Sequence, residues 1–406
     1  MTIKFLHCAD VHLDTPFRGL SQLNETLALK VKDVNKKVLE NIVNVAINKS
    51  VDFVLIAGDL FDSEQKSLQS QLRSKELFQR LNKHGIKVFA IGGNHDPLNK
   101  PFTIQWPDNV HFFPADNPTT MEIEIDAKKV YIHGVSYKEH QELENKGILF
   151  PNSREGGINI GLLHCEIGGG TESTYSPCTL NDIREKGYDY WALGHIHKRS
   201  VVSAEPYIIY PGSPQGKSIK ETDEKGCYVI TINEPKWDVE FIETHEVLWV
   251  QKEIMIDSLT LDGLLDTLQH TILELEKNIN CKGLIVRFYL TGRGELHSLN
   301  AMDMDEIVLT LNDQEEFYDK FVWVESIQKN TLPEIDLELL SNQDDFLGTL
   351  FKIEQEFLGD KGKLSELVDG LDILNNRCTK RHVGKTDEEQ LLKNAKDLVL
   401  HQLLKG

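Results

Sequence analysis

The sequence has no cysteines two residues apart, no apolar run of membrane-spanning length and no surplus of positive charge. Its six cysteines, at positions 8, 165, 178, 227, 281 and 378, are scattered. That spacing removes the common zinc-finger and thioredoxin patterns and leaves reduced, mostly buried thiols as the expectation. No stretch approaches the roughly 18 consecutive apolar residues of a transmembrane helix. With only 13 prolines and 28 glycines in 406 residues, collagenous and low-complexity classes are excluded. The first residues, MTIKFLHCAD, enter a strand pattern without the basic and apolar regions of a signal peptide, so a cytoplasmic location is expected. Lys and Arg total 44 against 64 Asp and Glu, a formal charge of −20. Such a surface repels polyanions, so a substrate carrying phosphate requires cations supplied locally.

The length exceeds what one hydrophobic core usually serves and predicts two or three domains. Five apolar runs have strand character: IKFL (3–6), VDFVLIA (51–57), KVFAI (87–91), INIGLL (158–163) and DYWAL (189–193). Between the first two, Val31, Val34, Val38, Ile42, Val45 and Ala46 recur at steps of three and four, the period of a helix packed on one face. This β-α-β-α-β order predicts parallel strands joined by right-handed crossovers. VYIHGVSY, KGCYVITI and WDVEFIET add strands with fewer helices between them, predicting a second, more antiparallel sheet and an α/β sandwich over residues 1–248. Residues 249–335 read as a small α+β module, with strands EIMID, GLIVRFYLTG and KFVWVESIQ. Residues 336–406 form a helical tail with patterns over 343–358 and 387–404, the second opened by a capping box at Thr386-Asp387-Glu388-Glu389. The polar stretches 359–370 and 375–385 are expected to act as joints.

Each of the five runs is followed at once by potential metal ligands: Asp10 and His12; Asp59; Asn94 and His95; His164; His195 and His197. Loops at the carboxyl ends of strands form the ligand crevice of an α/β sheet, so all five clusters are predicted to meet. Two carboxylates brought within about 4 Å repel by roughly 4 kcal/mol at an effective dielectric of 20, and divalent cations turn that cost into attraction. Oxygen ligands mixed with imidazoles suit Mn²⁺, Fe²⁺ or Zn²⁺ better than Ca²⁺. Seven ligands exceed one ion's needs, so two divalent ions are expected, with Asp59 as the bridge.

The series Asp10-x-His12, Gly58-Asp59, Gly93-Asn94-His95-Asp96, His164 and Gly194-His195-x-His197 resembles the calcineurin-like metallophosphoesterase superfamily. FLHCADVHLD, AGDLFD and ALGHIHK are similar to the SbcD-like DNA repair exonucleases, and within them to the YhaO type. The resemblance implies a metallophosphoesterase β-sandwich flanked by helices over 1–248, a capping domain over 249–335 and a partner-docking tail over 336–406. It implies one metal position at Asp10, His12, Asp59 and His197 and another at Asp59, Asn94, His164 and His195, with Mn²⁺ the expected metal. It gives His95 the role of a catalytic group outside the ligand set. The implied activity is hydrolysis of DNA phosphodiesters beside an SMC-like coiled-coil ATPase of the YhaN or SbcC type, and a homodimer is a further implication. A phosphomonoesterase or nucleotide phosphodiesterase, and a scaffold that has given up catalysis, are the competing readings.

Asp62 completes a Gly-Asp-x-x-Asp spacing and is expected to orient His95 and raise its pKa. Lys198 and Arg199, with Lys217 and Lys220, are the candidate contacts to a DNA backbone. Asp14 and Asp96 are read as groups that steady the ligands, Tyr210-Pro211-Gly212-Ser213 as a site wall, and His7 and His133 as core residues. Arg287, Tyr289 and Trp323 are read as packing residues.

Overall fold

The computed structural model describes residues 2–15, 34–63, 66–168, 175–313, 320–334 and 346–369, with isolated positions at 27, 31 and between 391 and 399. Two compact units emerge, one formed by Met1–Lys252, Thr271–Arg287 and Val308–Ser326, the other by Glu253–His270, Phe288–Ile307 and Ile327–Gly406.

In the first unit, β1 (Ile3–Cys8), β2 (Phe53–Ala57), β3 (Lys87–Ile91) and β4 (Val110–Phe112) are parallel neighbours. Helices α1 (Val34–Asn48) and α2 (Leu68–Lys83) make the first two crossovers. The hairpin of β11 (Gly226–Asn233) and β12 (Lys236–Glu243) returns to pair antiparallel with β1, giving the order β12-β11-β1-β2-β3-β4.

A second sheet has the order β5-β6-β7-β8-β10-β9, built from Thr119–Ile125, Lys128–Gly134, Gly157–His164, Tyr190–Gly194, Tyr207–Tyr210 and Ser200–Ala204, with the short helix α3 (Leu180–Arg184) between β7 and β8. Its four inner strands are parallel, and only the edge strands β5 and β9 are antiparallel. The expected antiparallel second sheet is therefore corrected. KGCYVITI and WDVEFIET joined the first sheet, and INIGLL and DYWAL, whose pattern matches a parallel strand buried on both faces, belong to the second.

Alternation with period two sorts the side chains. Phe5, Phe53, Leu55, Phe89 and Ile91 meet Ile132, Ile160, Leu162, Tyr190 and Ala192 between the sheets. Leu6, Val54, Ile56 and Val88 face the apolar stripes of the helices, Val38, Leu39 and Ile42 on α1 and Leu77, Phe78 and Leu81 on α2. Burying one such side chain contributes about 1.5–3 kcal/mol, so this double-sided packing holds the strand ends where they are.

A third sheet joins β13 (Val247–Met255), β14 (Gly283–Thr291) and β15 (Phe321–Lys329), with α4 (Leu261–Lys277) and α5 (Ala301–Asp313) as the connections. It is parallel, so the module is α/β in kind where α+β was expected: each strand is returned by a helix to the same end. Arg287 does more than the packing expected of it: its guanidinium donates to Glu325 through Nε at 2.7 Å and a terminal nitrogen at 2.6 Å.

In the tail, α6 (Phe346–Gly359) falls on the predicted helix, while the expected joint at 359–370 is occupied by α7 (Lys361–Asp369). Asp360 Oδ1 accepts from the amides of Gly362 and Lys363 and so caps it, and Leu364 is its buried contact. Lys396 pairs with buried Glu354 at 2.7 Å and lies over the Phe351 ring. The capping box at 386–389 and the joint at 375–385 lie outside the described residues. No described helix is long and apolar enough to cross a membrane.

The Arg287–Glu325 pair gives a stability prediction. Burial raises Glu325 but the Arg287 bonds outweigh it and hold the carboxyl below its ordinary range. Its contribution is therefore present above about pH 4.5 and lost as pH falls through the depressed value. Urea unfolding of Glu325→Gln should show a loss of about 1–3 kcal/mol at pH 7, and the gap from wild type should narrow in acid.

Candidate metal centre

Four loops are tied to one another before any side chain is considered. The chain after β1 runs alongside the chain after β2: the amide of Asp10 donates to Gly58 O, His12 to Asp59 O, Leu13 to Leu60 O and Asp62 to Leu13 O. Asp96 joins the loop after β3 to the loop after β2, its carboxylate accepting from the amides of Gly93, Asp59 and Phe61. The loop after β8 is held by the His195 amide, which donates to the Asp10 carboxylate at 3.1 Å. Asp10, His12, Asp59 and His195 all adopt positive φ, at 53°, 49°, 53° and 95°. A side chain in that region costs of order 1–3 kcal/mol, and here the interlocked loops impose it. Gly58 is also left-handed, and a Cβ there would lie 2.4 Å from His164 Nδ1, so only glycine lets that ring approach.

The side chains converge on two adjacent points. At the first, His12 Nε2 faces His197 Nε2 at 3.2 Å and Asp59 Oδ2 at 3.7 Å. At the second, His164 Nε2 faces Asn94 Oδ1 at 2.9 Å and Asp59 Oδ2 at 3.5 Å, and His195 Nδ1 faces Asn94 Oδ1 at 3.2 Å. Asp59 stands between the two. Ligand atoms of Asp10, His12 and His197 lie within 4.8 Å of one another, as do those of Asp10, Asp59 and His164, and those of His12, Asp62 and His95. All seven residues expected as ligands are thus brought together.

The donor set fits divalent cations. His164 Nδ1 bonds the Ala57 carbonyl and His12 Nδ1 bonds Asp62. Both bonds require the proton on Nδ1, which turns the Nε2 lone pair toward other acceptors. Burial lowers His12 to about 4 and His195 to about 3, so both rings are neutral at neutral pH, the form that binds metal. Burial, with the charge of Asp59, raises Asp10, although His164 and His197 act against it. Burial would raise Asp59 as well, but the imidazoles of His164, His12 and His95 outweigh it and lower it. Lone pairs and carboxylates packed this closely need positive charge between them.

The other expected residues sort as follows. Asp62 lies between two histidines, its Oδ1 3.1 Å from His12 Nδ1 and 3.3 Å from His95 Nδ1. The His95 bond to Asp62 raises that imidazole to about 9. Lys198 and Lys220 are exposed. Arg199 lies 3.8 Å over the Phe241 ring and 3.8 Å from Glu224. Lys217 is buried and donates to Thr15 Oγ1, and burial lowers it to about 8. Asp14 accepts from Ser67 and Ser70 at 2.6 Å each, fastening its loop to the start of α2. The Tyr210 hydroxyl donates to Cys165 O and accepts from the Ile167 amide, bracing the chain just after His164. His7 and His133 are core residues, bonded to Tyr190 and Leu193 and to Thr120 and Asn159.

Three neighbours were not legible in the sequence. Glu221 Oε1 lies 3.1 Å from His197 Nδ1, the Tyr175 ring packs against His195 at 4.4 Å, and His140 Nδ1 bonds Asn94 O at 2.6 Å. None carries a local motif, since each reaches the centre from a remote segment.

This arrangement of carboxylates, amide and imidazoles at the strand ends of a two-sheet sandwich identifies the class: the chain belongs to the calcineurin-like metallophosphoesterases. The calcineurin-like phosphoesterase family matches residues 3–199. The chain is 34% identical to the uncharacterized metallophosphoesterase YhaO of Bacillus subtilis, across 99% of this chain and 98% of that one. It is 24% identical to the DNA double-strand break repair protein Mre11 of Methanopyrus kandleri, across 56% of this chain and 52% of that one. A second protein of that name, from Sulfolobus acidocaldarius, is also 24% identical, across 71% and 75%.

The buried charge of Asp10 should have opposite effects with and without metal. A carboxylate whose folded pKa is raised destabilises the fold above its unfolded value, so Asp10→Asn should stabilise the metal-stripped protein by about 1–3 kcal/mol at pH 7. Mn²⁺ should stabilise wild type by about 2.7 kcal/mol at a hundredfold excess over Kd, and Asp10→Asn by much less. Thermal melts with and without chelator check both signs.

Proposed function

We propose that this metallophosphoesterase hydrolyses DNA phosphodiester bonds with two divalent ions, Mn²⁺ foremost, held by Asp10, His12, Asp59 and His197 and by Asp59, Asn94, His164 and His195. The observation that carries the proposal is the pair of adjacent donor clusters sharing Asp59. The chain's 24% identity to two DNA double-strand break repair proteins supports the choice of DNA. When bound, the ions supply Lewis acidity toward a phosphate oxygen and toward water.

The chain's own groups supply the rest. His95 Nδ1 is taken up by Asp62, which leaves Nε2 as the atom that delivers a proton to the departing oxygen. Its imidazole is about one-third exposed, which suits a group that meets substrate and then solvent. Asp62 holds it protonated across neutrality. Asp96 and the paired loop amides keep the ligands from relaxing between turnovers. Lys198, exposed one residue after His197, is the proposed backbone contact; Arg199, packed on Phe241, joins it only by leaving that ring. The module over 249–335 is proposed as a cap that positions DNA, and the tail over 336–406 as the docking segment for an SMC-like coiled-coil ATPase. The formal charge of −20 favours a smaller phosphoester as the alternative substrate, and the assay decides between them.

Full-length protein with Mn²⁺ should cleave labelled DNA, and His95→Ala should lower that rate by about 10²–10⁴-fold. Hydrolysis of p-nitrophenyl phosphate or cyclic nucleotides with intact DNA would replace the nuclease reading by the smaller substrate. The basic limb of the pH–rate profile, where His95 loses its proton, should lie near pH 9. In Asp62→Asn it should move toward the ordinary histidine value of about 6.5; a limb that stays in place removes Asp62 from its role.

A further inference from the structure

The first donor cluster has one ligand that packing does not fix. The side chains of His12 and His164 are 2% and 0% exposed, whereas that of His197 is 36% exposed. A ring that open rotates about its bonds unless something holds its outer nitrogen. Glu221 is in place to do so, with Oε1 3.1 Å from His197 Nδ1. Glu221 is itself held. Its Oε2 accepts from Ser213 Oγ and from the Lys217 amide, each at 3.2 Å, and its own amide donates to Ser218 O. A carboxylate bonded at both oxygens has lost its rotamer freedom, so it orients its partner without paying that entropy again.

We infer that Glu221 is the positioning residue of His197, setting its ring so that Nε2 faces His12 Nε2 and thereby controlling the affinity of one of the two metal positions. Accepting the Nδ1 proton selects the tautomer with a lone pair on Nε2, and the carboxylate makes that lone pair more basic. The second cluster has a different backing. His164 is held by the backbone carbonyl of Ala57, which no side-chain substitution removes. Loss of Glu221 therefore acts on the Asp10, His12 and His197 position and leaves the Asn94 and His164 position as it is. The short run Lys220-Glu221-Thr222-Asp223-Glu224 reads as a solvated acidic loop, and only the fold brings its first carboxylate to the site. This inference rests on the two-ion reading above.

The test uses metal-stripped full-length protein titrated with Mn²⁺ by calorimetry. Wild type should take up two equivalents. In Glu221→Gln, whose amide oxygen can keep the bonds from Ser213 and Lys217 while its NH2 group faces His197 Nδ1 and can no longer accept the ring proton, one equivalent should weaken by about 10–100-fold with the other unchanged. Glu221→Ala, which frees the ring, should weaken the same equivalent and not the other. Equal weakening of both equivalents, or of neither, overturns the inference while leaving the two-ion reading in place. A wild type that binds no Mn²⁺ overturns both. A metal-independent readout accompanies it: nitrogen NMR of the metal-free protein, at a pH high enough that the imidazole is neutral, should place the His197 proton on Nδ1 in wild type and spread it over both nitrogens in Glu221→Ala. Mixed tautomers already present in wild type would contradict the assignment.

Discussion

Lone pairs and negative charges crowded at the largely buried ends of the strands are the constraint around which this domain is organised. His12 Nε2 and His197 Nε2 point at each other, His164 Nε2 points at Asn94 and Asp59, and the buried carboxylates of Asp10 and Asp59 approach the same two points. At an effective dielectric of 20, carboxylates less than 5 Å apart repel by about 3 kcal/mol or more. The chain adds backbone strain at Asp10, His12, Asp59 and His195. Such an arrangement persists only because the surrounding structure enforces it, through the paired loops after β1 and β2, the Asp96 clamp and the double-sided packing of both sheets.

Two sheets supply the loops, and this division matters for the chemistry. Asp10, His12, Asp59, Asn94 and His95 come from the ends of β1, β2 and β3, while His164, His195 and His197 come from β7 and β8. The rigid sandwich fixes the separation of the two donor groups. Two neighbours contact them: Asp62, on the same loop as Asp59, touches both His12 and His95, and Tyr175, from a separate segment, covers His195. His12, His95 and Asp62 thus share one hydrogen-bonded cluster, with Asp62 linking a candidate metal ligand to the candidate acid.

Much of this was legible in the sequence because the ligands follow strands directly. An apolar run ending in Gly-Asp or Gly-His-x-His reports both the strand and the position of its last residue, so the convergence of seven side chains could be read before any coordinates. The sheet assignment could not. KGCYVITI and WDVEFIET alternate as edge strands do, but nothing local says which sheet they extend, and β11 chose β1 across more than 200 residues. Polarity misled at 359–370, where Asp360 caps a short helix in place of a joint. Arg199 illustrates the same limit: its charge was visible, its stacking on Phe241 was not.

The most direct test of the central claim is the anomalous difference map of a crystal grown from full-length protein with Mn²⁺. Two adjacent peaks are expected, one against His12 Nε2 and His197 Nε2, the other against His164 and Asn94, with Asp59 reaching both. A map with no peak at these residues, or with the four imidazoles turned to separate surroundings, would contradict it.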